Sequence, residues 1–533
     1  MIVSKHTLTL ISSFVLLVTL AVSCHPEQSK FKVFKYNLVN HPNSLDPAFA
    51  KSMSSTWIAS HIFNTLVTTN AKSEIIPSVA KSYEISADGL EYVFYLRKDI
   101  QFHNHEVFGV DSTRMLNAND VKYSFERIIS DSINSPGSWI FENKLDSILP
   151  FEAPNDSRFI LRLQNPFRPM LSILTMQYCS IIPKEAVEFY GEEWKNNPIG
   201  SGPYKFKKWV KNQNLFLLKN ENYWSDLGNL DGIKVDFMVD RKIAFLELLN
   251  GNLDLVSGLE SSFINEMLTP EGKLQNKHHD EINFLKSSYL NTEYIGINLE
   301  LLEDDHPLKN KNFRKALNFA IDKELMMTSL RNGVGFPANS GFTPRGLNSF
   351  SDKIQGYEYD QGKALEYLKL SGVDVQKIEP LTIYTNQPYS DIMLFVAKQW
   401  EQIGVPCKIE VMESSILREG MRKGNIALFR ASWIGDYLDT ENFMSVFNGR
   451  NGAPPNYTRF KNRKFDALYS KSNLELDNEK RKEIFHSMDS ILIDESPVIF
   501  LFYDQSANFY RKSISGIRHS LNNLPFVEDL SKN

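Results

Sequence analysis

Apolar and polar residues along this chain follow two rhythms that alternate from one end to the other. Every-second-residue spacing predicts strands, because successive side chains on a strand point to opposite faces. It is clearest in "KVFKYNLVN" (Lys32 to Asn40), "EYVFYLRKDIQF" (Glu91 to Phe102), "GIKVDFMVD" (Gly232 to Asp240) and "YIGINL" (Tyr294 to Leu299). Spacing of three and four predicts helices. "STWIASHIFNTLV" (Ser55 to Val67) is one, with Ser54 or Ser55 as its N-cap. "LNANDVKYSFERII" (Leu116 to Ile129) is another, capped by Asn117 or Asn119, with Val121, Phe125 and Ile128 inward. "RKIAFLELLNGNLDLV" (Arg241 to Val256) reads as a helix, a Gly-Asn turn and a short strand. "NKNFRKALNFAIDKELMMTSL" (Asn310 to Leu330) and "SDIMLFVAKQWEQIG" (Ser390 to Gly404) each read as one amphipathic helix. Strands alternating with helices predict α/β lobes. No internal repeat, low-complexity tract or evident linker interrupts them.

One segment breaks the rhythm. In "ALFRASWIGDYLDTENF" (Ala427 to Phe443) a strand with an apolar start runs through Ala431, Ser432 and Trp433 to Gly435. It then meets the acids Asp436, Asp439 and Glu441. Asp439 or Thr440 is placed to cap a following helix, which leaves Asp436 without a local role.

With 533 residues, the chain is long enough for two or more lobes. A net charge of −5 and the lack of any long Lys/Arg run exclude a basic nucleic-acid surface. The start, "MIVSKHTLTLISSFVLLVTLAVSC", has Lys5 and His6, then an apolar stretch too short to span a bilayer, then small residues before Cys24. This predicts a signal peptide over residues 1–23. Its end resembles a bacterial lipobox, with Cys24 lipidated, residues 24–29 as linker and the membrane reached through lipid only. Cys179 and Cys407 then remain, and two buried free thiols are expected rather than a disulfide framework.

Catalytic and metal signatures do not appear: no HExxH, GxSxG, Walker loop or dinucleotide fingerprint. His103, His105 and Glu106 form a conceivable metal pair on one strand face, but polar turn residues are the expected reading. His278, His279 and Asp280 are read the same way. No cofactor or metal is expected, and no enzyme activity.

Several short motifs acquire meaning from their order. "SLDPA" (Ser44 to Ala48), "IFNTLV" (Ile62 to Val67), "SADGLEYVFYLRKDIQFHN" (Ser86 to Asn104), "LNANDVKYSFERI", "PIGSGPYKF", "ENYW" (Glu221 to Trp224), "NKNFRKALNFAIDKE" and "YEYDQGKALEYLKLSG" (Tyr357 to Gly372) follow one another. From about Phe34 to Ile517 this chain resembles the family 5 extracellular solute-binding proteins, the peptide-binding components of bacterial ABC importers. The resemblance implies a two-lobed, type II-like periplasmic-binding-protein clamp with an extra subdomain inserted in the first lobe. Lobe I would comprise residues 30–70, 196–288 and 506–533, the extra subdomain 71–195, and lobe II 289–505, with a hinge at chain crossings near 288 and 505.

It also implies a role. An importer receptor grips a peptide backbone while tolerating many side chains, which strand addition achieves. "WIGDYLDTENF" matches the family's cleft segment, where Trp is followed three residues later by the amine-binding Asp. Ala431, Ser432 and Trp433 would offer main-chain groups, Gly435 would allow close approach, and Asp436 would hold the α-amine. Ser52, Met53 and Ser54 would line the opposite wall. In dipeptide-restricted relatives an Arg before a Pro-Tyr pair holds the ligand carboxylate. Here Gln387 stands before Pro388 and Tyr389, and Gln forms no charge-assisted fork. Longer peptides, or a carboxylate held by Arg345 or Arg430, stay open. The expected partners are a peptide, a permease and its ATPase subunits, around a monomeric receptor in the periplasm or at the cell surface. Oligosaccharides, metal complexes and cell-wall peptides are alternative ligands for the scaffold. A non-transport sensor or enzyme is a further alternative.

Overall fold

The computed structural model describes residues 31–533. The expected signal peptide, the linker and Cys24 lie outside the described residues. Two long strands, Ile282–Ile297 and Val498–Arg511, pair antiparallel at the centre of an eleven-stranded sheet. On one side follow Leu255–Ser257, Val33–Leu38, Gly232–Phe237, Asn214–Lys219 and Tyr204–Val210. On the other lie Leu428–Ile434, Leu381–Asn386 and Cys407–Met412, and the two-residue strand Phe336–Pro337 pairs with Val498–Arg511 off this order. Alternation predicted only the "YIGINL" end of the first long strand. The rest, Ile282 to Glu293, carries polar residues on both faces, so neither face shows a period.

The pairing of these two strands is interrupted. It runs from Ile282 opposite Arg511 to Ser288 opposite Gln505, then shifts and resumes from Thr292 opposite Tyr503 to Gly296 opposite Val498. Leu290, inside the break, bonds elsewhere. Its amide donates to the Leu521 carbonyl at 2.8 Å, and its carbonyl accepts from the Gly435 amide at 2.7 Å.

Separate cores pack on the two sides. Phe34, Tyr36, Trp57, Trp194 and Tyr204 gather on the first, joined by Ile514, Val527 and Leu530 from the C-terminal segment. On the second, the Leu428–Ile434 strand feeds two cores from its two faces. Leu428 packs in the cluster that holds Trp400, while Phe429 and Ala431 pack with Phe443 and Phe447. A separate four-stranded sheet orders Ala80–Ile85, Glu91–Leu96, Arg158–Arg162 and Phe151–Asn155. The helix Ala118–Ile129 buries Val121, Phe125 and Ile128 in that unit's core. Its cap is Asn117, in a capping box with Asp120.

Tertiary contacts explain several motifs. Asp46 of "SLDPA" accepts both ends of the Arg127 guanidinium, at 2.9 and 2.5 Å, so two distant motifs are joined by a buried fork. A Cβ at Gly200 of "PIGSGPYKF" would meet the Ile62 carbonyl oxygen at 2.0 Å, so the backbone approach there requires glycine.

Other expectations are corrected. The helix placed at Ser55 begins earlier: it is Met53–Ile62, with the Ser52 hydroxyl accepting from the Ser55 amide at 3.2 Å. The long helix from Asn310 is two, Lys311–Phe319 and Lys323–Arg331, because Asp322 caps the second by accepting from the Leu325 amide at 2.9 Å. His103 is no surface turn residue. It is buried, its ring bonded to the Gly202 carbonyl at 3.0 Å, and burial brings its pKa down to about 4. His105 caps a short turn through the Val107 amide at 3.1 Å and meets Tyr190 at 2.8 Å, so the two imidazoles have separate structural partners. Cys179 and Cys407 are free thiols, the first buried and the second half-buried.

Candidate functional site

The strand Leu428–Ile434 uses one edge fully. Leu428 to Ile434 lie opposite Ile297 to Asn291 of the long central strand. Its other neighbour, Leu381–Asn386, is registered with it only at Tyr384 opposite Phe429. That strand ends at Asn386 and turns through Gln387–Tyr389 into the helix Ser390–Gln402. From Arg430 to Ile434 the second edge therefore pairs with no strand among the described residues. An unpaired edge carries N–H and C=O groups ready to accept another extended chain. Ala431, Ser432 and Trp433 are on it.

Asp436 stands just past the end of this edge, and one side chain holds the turn. The Asn442 amide oxygen accepts from the Trp433 ring nitrogen at 3.0 Å and from the Asp436 amide at 3.1 Å. Its nitrogen donates to the Asp436 carboxyl at 3.4 Å. Asp436 is exposed by surface area, yet protein encloses it closely enough to hold its carboxyl up at about 6. Asn442 and Tyr178 stand close beside it. Burial is the main cause; the Asn442 hydrogen bond opposes it.

The other two acids of the segment are structural. Asp439 caps the helix Thr440–Met444 through the Glu441 amide at 2.8 Å, and both its oxygens accept from Arg481 at 2.8 Å. Glu441 is buried and accepts from the Tyr437 and Tyr469 hydroxyls. Gly435 changes role. A Cβ there would meet Phe443 at 3.0 Å and Leu290 at 3.1 Å, so its missing side chain makes room for the protein's own core rather than for a ligand.

Tyr437 carries the segment to the four-stranded unit. It is buried within that unit's core and lies over Trp139, with ring centroids 6.3 Å apart. Beside it the Ser172 hydroxyl donates to the Leu438 carbonyl at 3.1 Å. Further along, Arg168 bonds the Asn473 carbonyl at 3.3 Å and the Asn478 side chain at 3.1 Å. Tyr178 of the same unit lies near enough to Asp436 that the carboxylate adds to burial in raising its phenol.

A buried polar network lies beneath the edge. Glu293 accepts from Arg430 at 2.5 Å and from Asn291 at 3.1 Å. Asn291 also reaches Asp504 at 3.2 Å, and Asp504 is paired with Arg331. The Arg430 guanidinium lies 3.1 Å from the centre of the Tyr389 ring. Burial opposes its charge, but Glu293 and Tyr389 hold its pKa above the ordinary guanidinium range. Arg430 and Tyr389 are thus committed to each other and to Glu293. Gln387 is exposed, at the turn out of the neighbouring strand. Of the N-terminal residues, Ser52 and Met53 are exposed and Ser54 is buried in the first helical turn. Met53 approaches Asn523 of the C-terminal segment, with nitrogen and sulfur 4.0 Å apart. Among the described residues no cluster of three or more His, Cys, Asp or Glu could hold a metal ion, and no helix is long and apolar enough to cross a membrane.

The profile of bacterial extracellular solute-binding proteins, family 5 (middle region), matches residues 74–454. The chain belongs to that family. The match of this family 5 protein extends beyond the profile. It is 27% identical over 494 residues to heme-binding protein A of Haemophilus influenzae, covering 89% of this chain and 87% of that one. To the dipeptide-binding protein of Escherichia coli it is 24% identical, covering 91% and 92%. Among solved structures, the periplasmic binding protein DppA of Helicobacter pylori in complex with the peptide STSA superposes with a TM-score of 0.78 at 24% identity, over 94% and 98% of the chains. HbpA2 of Haemophilus parasuis gives 0.79 at 24% identity, over 94% and 100%. The α/β clamp of family 5 is therefore the fold, with an extracellular or periplasmic solute-binding protein as the class.

The family 5 motifs directed sequence reasoning to Asp436 but not to Asn442, Leu290 or Tyr437. Asn442 sits six residues on, inside a helix, where an Asn reads as ordinary surface. The partners of Leu290 are Leu521 and Gly435, far away in sequence. Tyr437 follows Asp436 directly, and no local pattern shows that it enters another unit's core.

Proposed function

We propose that this protein is the substrate-binding receptor of a bacterial ABC importer and that its ligand is a peptide. One observation carries the reading: a strand edge unpaired among the described residues, Arg430 to Ile434, ends beside the Asp436 carboxylate. Main-chain pairing supplies affinity without regard to sequence, and the Asp436 carboxylate takes the α-ammonium and sets the register. The relatives named for dipeptide and oligopeptide binding support it. Ser52 and Met53 would face the ligand from the other wall.

Lobe I would be 30–70, 196–288 and 506–533 with the 71–195 subdomain, and lobe II 289–505. The hinge would use the register break after Ser288 and Gln505. A ligand touching both lobes favours the closed state. That state would dock on a permease whose ATPase subunits drive import, with the receptor itself a non-enzymatic monomer tethered through lipid on Cys24. Calorimetry with free and N-acetylated tripeptides tests the ligand. Micromolar or tighter binding, about −8 kcal/mol, is expected for the free amine. Equal affinity for the acetylated form rules out the Asp436 role. Mass spectrometry of ligands retained through gentle purification separates peptides from haem, sugars and metal complexes.

The pH dependence has a definite sign. Ligand-free Asp436 takes up a proton as pH falls through about 6, and a bound ammonium holds it ionised. Binding therefore expels a proton below that pH. Affinity should be full near pH 7 and fall roughly tenfold per unit below about 6. It should weaken again above about 8, where the peptide amine loses its own charge. Acetylated peptides should show no such profile.

Tyr437 joins lobe II to the inserted subdomain, so it biases closure. Tyr437→Ala should lower apparent affinity about tenfold, because the competent closed state becomes a smaller fraction. Small-angle scattering of the liganded variant should give a larger radius of gyration than wild type. An unchanged radius and affinity would remove Tyr437 from the closing mechanism.

A further inference from the structure

The cations around the interlobe seam are not equivalent. Arg331 is paired with Asp504, and Arg430 is paired with Glu293 and packed on Tyr389. Arg345 has no such acid. Among the described residues it makes no ion pair and no hydrogen bond, and its buried Nε is unsatisfied. The residue is only half-buried, so the ends of the guanidinium are not sealed off. The guanidinium carbon lies over two rings, 4.6 Å from the centre of Phe336 and 5.1 Å from that of Phe350.

The backbone under Arg345 is equally fixed. The Phe342 amide donates to buried Asp489 at 2.6 Å, and the Thr343 hydroxyl donates to the same carboxyl at 2.6 Å. The Phe342 carbonyl accepts from Thr292 of the long central strand at 2.9 Å. On the other side Gly346 neighbours Leu521 and Ser288, whose side chains would lie 2.9 and 3.5 Å from a Cβ there. Leu521 bonds Leu290, and Leu290 bonds Gly435, the neighbour of Asp436. Arg345 and Asp436 thus border one seam, at the break between the two crossing strands. A guanidinium held against aromatic rings, without an acid, presents a planar fork that matches a carboxylate. The two aromatic rings hold it without neutralising it.

We propose that Arg345 is a specificity-determining residue that accepts the ligand's carboxylate, the C-terminus of a peptide whose amine is held by Asp436. The inference rests on the peptide reading above. It gives Arg345 the charge-assisted contact that Gln387 does not offer and from which Arg430 is withdrawn. A receptor with a charged contact at each end measures peptide length, so one length of free peptide should bind best.

The test is calorimetry with tri- and tetra-alanine, as free acids and as C-terminal amides, on wild type, Arg345→Gln and Arg345→Lys. Amidation should weaken wild-type binding at least tenfold. Arg345→Gln should lose a similar factor for the free acid and no longer distinguish acid from amide, while keeping its penalty for N-acetylation. A general folding defect would not produce that selective pattern. Arg345→Lys should discriminate less than wild type, and it decides the matter if Arg345→Gln does not fold. Equal wild-type affinity for acid and amide, or undiminished discrimination in the variants, overturns the role of Arg345 and leaves the peptide reading standing. A wild-type protein that binds none of these peptides, free or modified, overturns both.

Discussion

Asp436→Asn should abolish most binding of free-amine peptides without unfolding the protein. Asn keeps the shape and a hydrogen-bonding group for Asn442, so the turn after Trp433 survives. What it lacks is the charge facing the ammonium. Truncating one partner of a desolvated charge pair costs about 2–5 kcal/mol, much of it the penalty of leaving the other charge enclosed and unpaired. Asp436 is exposed before ligand binds, so the lower half of that range is expected, roughly a 30- to 300-fold loss of affinity. The stability effect should have the opposite sign. Burial raises the Asp436 carboxyl to about 6, so at neutral pH the empty site holds a carboxylate that folding disfavours. The Asn variant should therefore melt no lower than wild type at pH 7. Calorimetry and thermal melts on the same preparation read both effects. Full affinity with a lowered melting temperature would make Asp436 a structural residue.

Glu293→Ala should produce the largest loss of stability, about 3–5 kcal/mol at pH 7. Glu293 is 1% exposed, and its removal leaves the Arg430 guanidinium enclosed above Tyr389 without its carboxylate. The Arg430 Nε is already buried without a partner, so there is no reserve of hydrogen bonds to compensate. The pair also ties the Leu428–Ile434 strand to the long strand beside it, so disorder here reaches the ligand-binding edge. The double replacement Glu293→Met with Arg430→Met should recover most of the loss, since an apolar pair of similar volume avoids both desolvation penalties. Urea unfolding of wild type, Glu293→Met, Arg430→Met and the double variant gives the coupling directly. A single-variant loss below about 1 kcal/mol would show that water reaches the pair.

Most of the architecture was legible because its elements are locally amphipathic. The helix Ala118–Ile129 shows its inner face and its Asn117 cap within fourteen residues. The strand Val33–Leu38 shows its alternation within nine. The readings that failed depended on distant partners. Residues 311 to 331 carry one helical period, but Asp322 finds it better to cap a second helix than to continue the first. The polar half of Ile282–Ile297 is a strand because Val498–Arg511 lies beside it. His103 looks exposed beside Asn104 and His105, yet it is enclosed by the turn at Gly200 and Gly202, almost a hundred residues away.

The site divides along the same line. By itself the sequence determined that a strand through Trp433 runs up to Gly435 and Asp436, that Asp439 or Thr440 rather than Asp436 suits the helix start, and that Gln387 forms no charge-assisted fork with a carboxylate. Each of these follows from the chemistry of a residue and its near neighbours. Only the tertiary structure decided that the strand's second edge is open beyond Phe429, that Gly435 yields its space to Leu290 and Phe443, and that Tyr437 belongs to another unit's core. It also separated Arg430 from Arg345, two residues that sequence treats alike. The physical reason is that a charge or a backbone edge becomes available only if nothing else in the fold satisfies it. That depends on partners brought together from hundreds of residues apart.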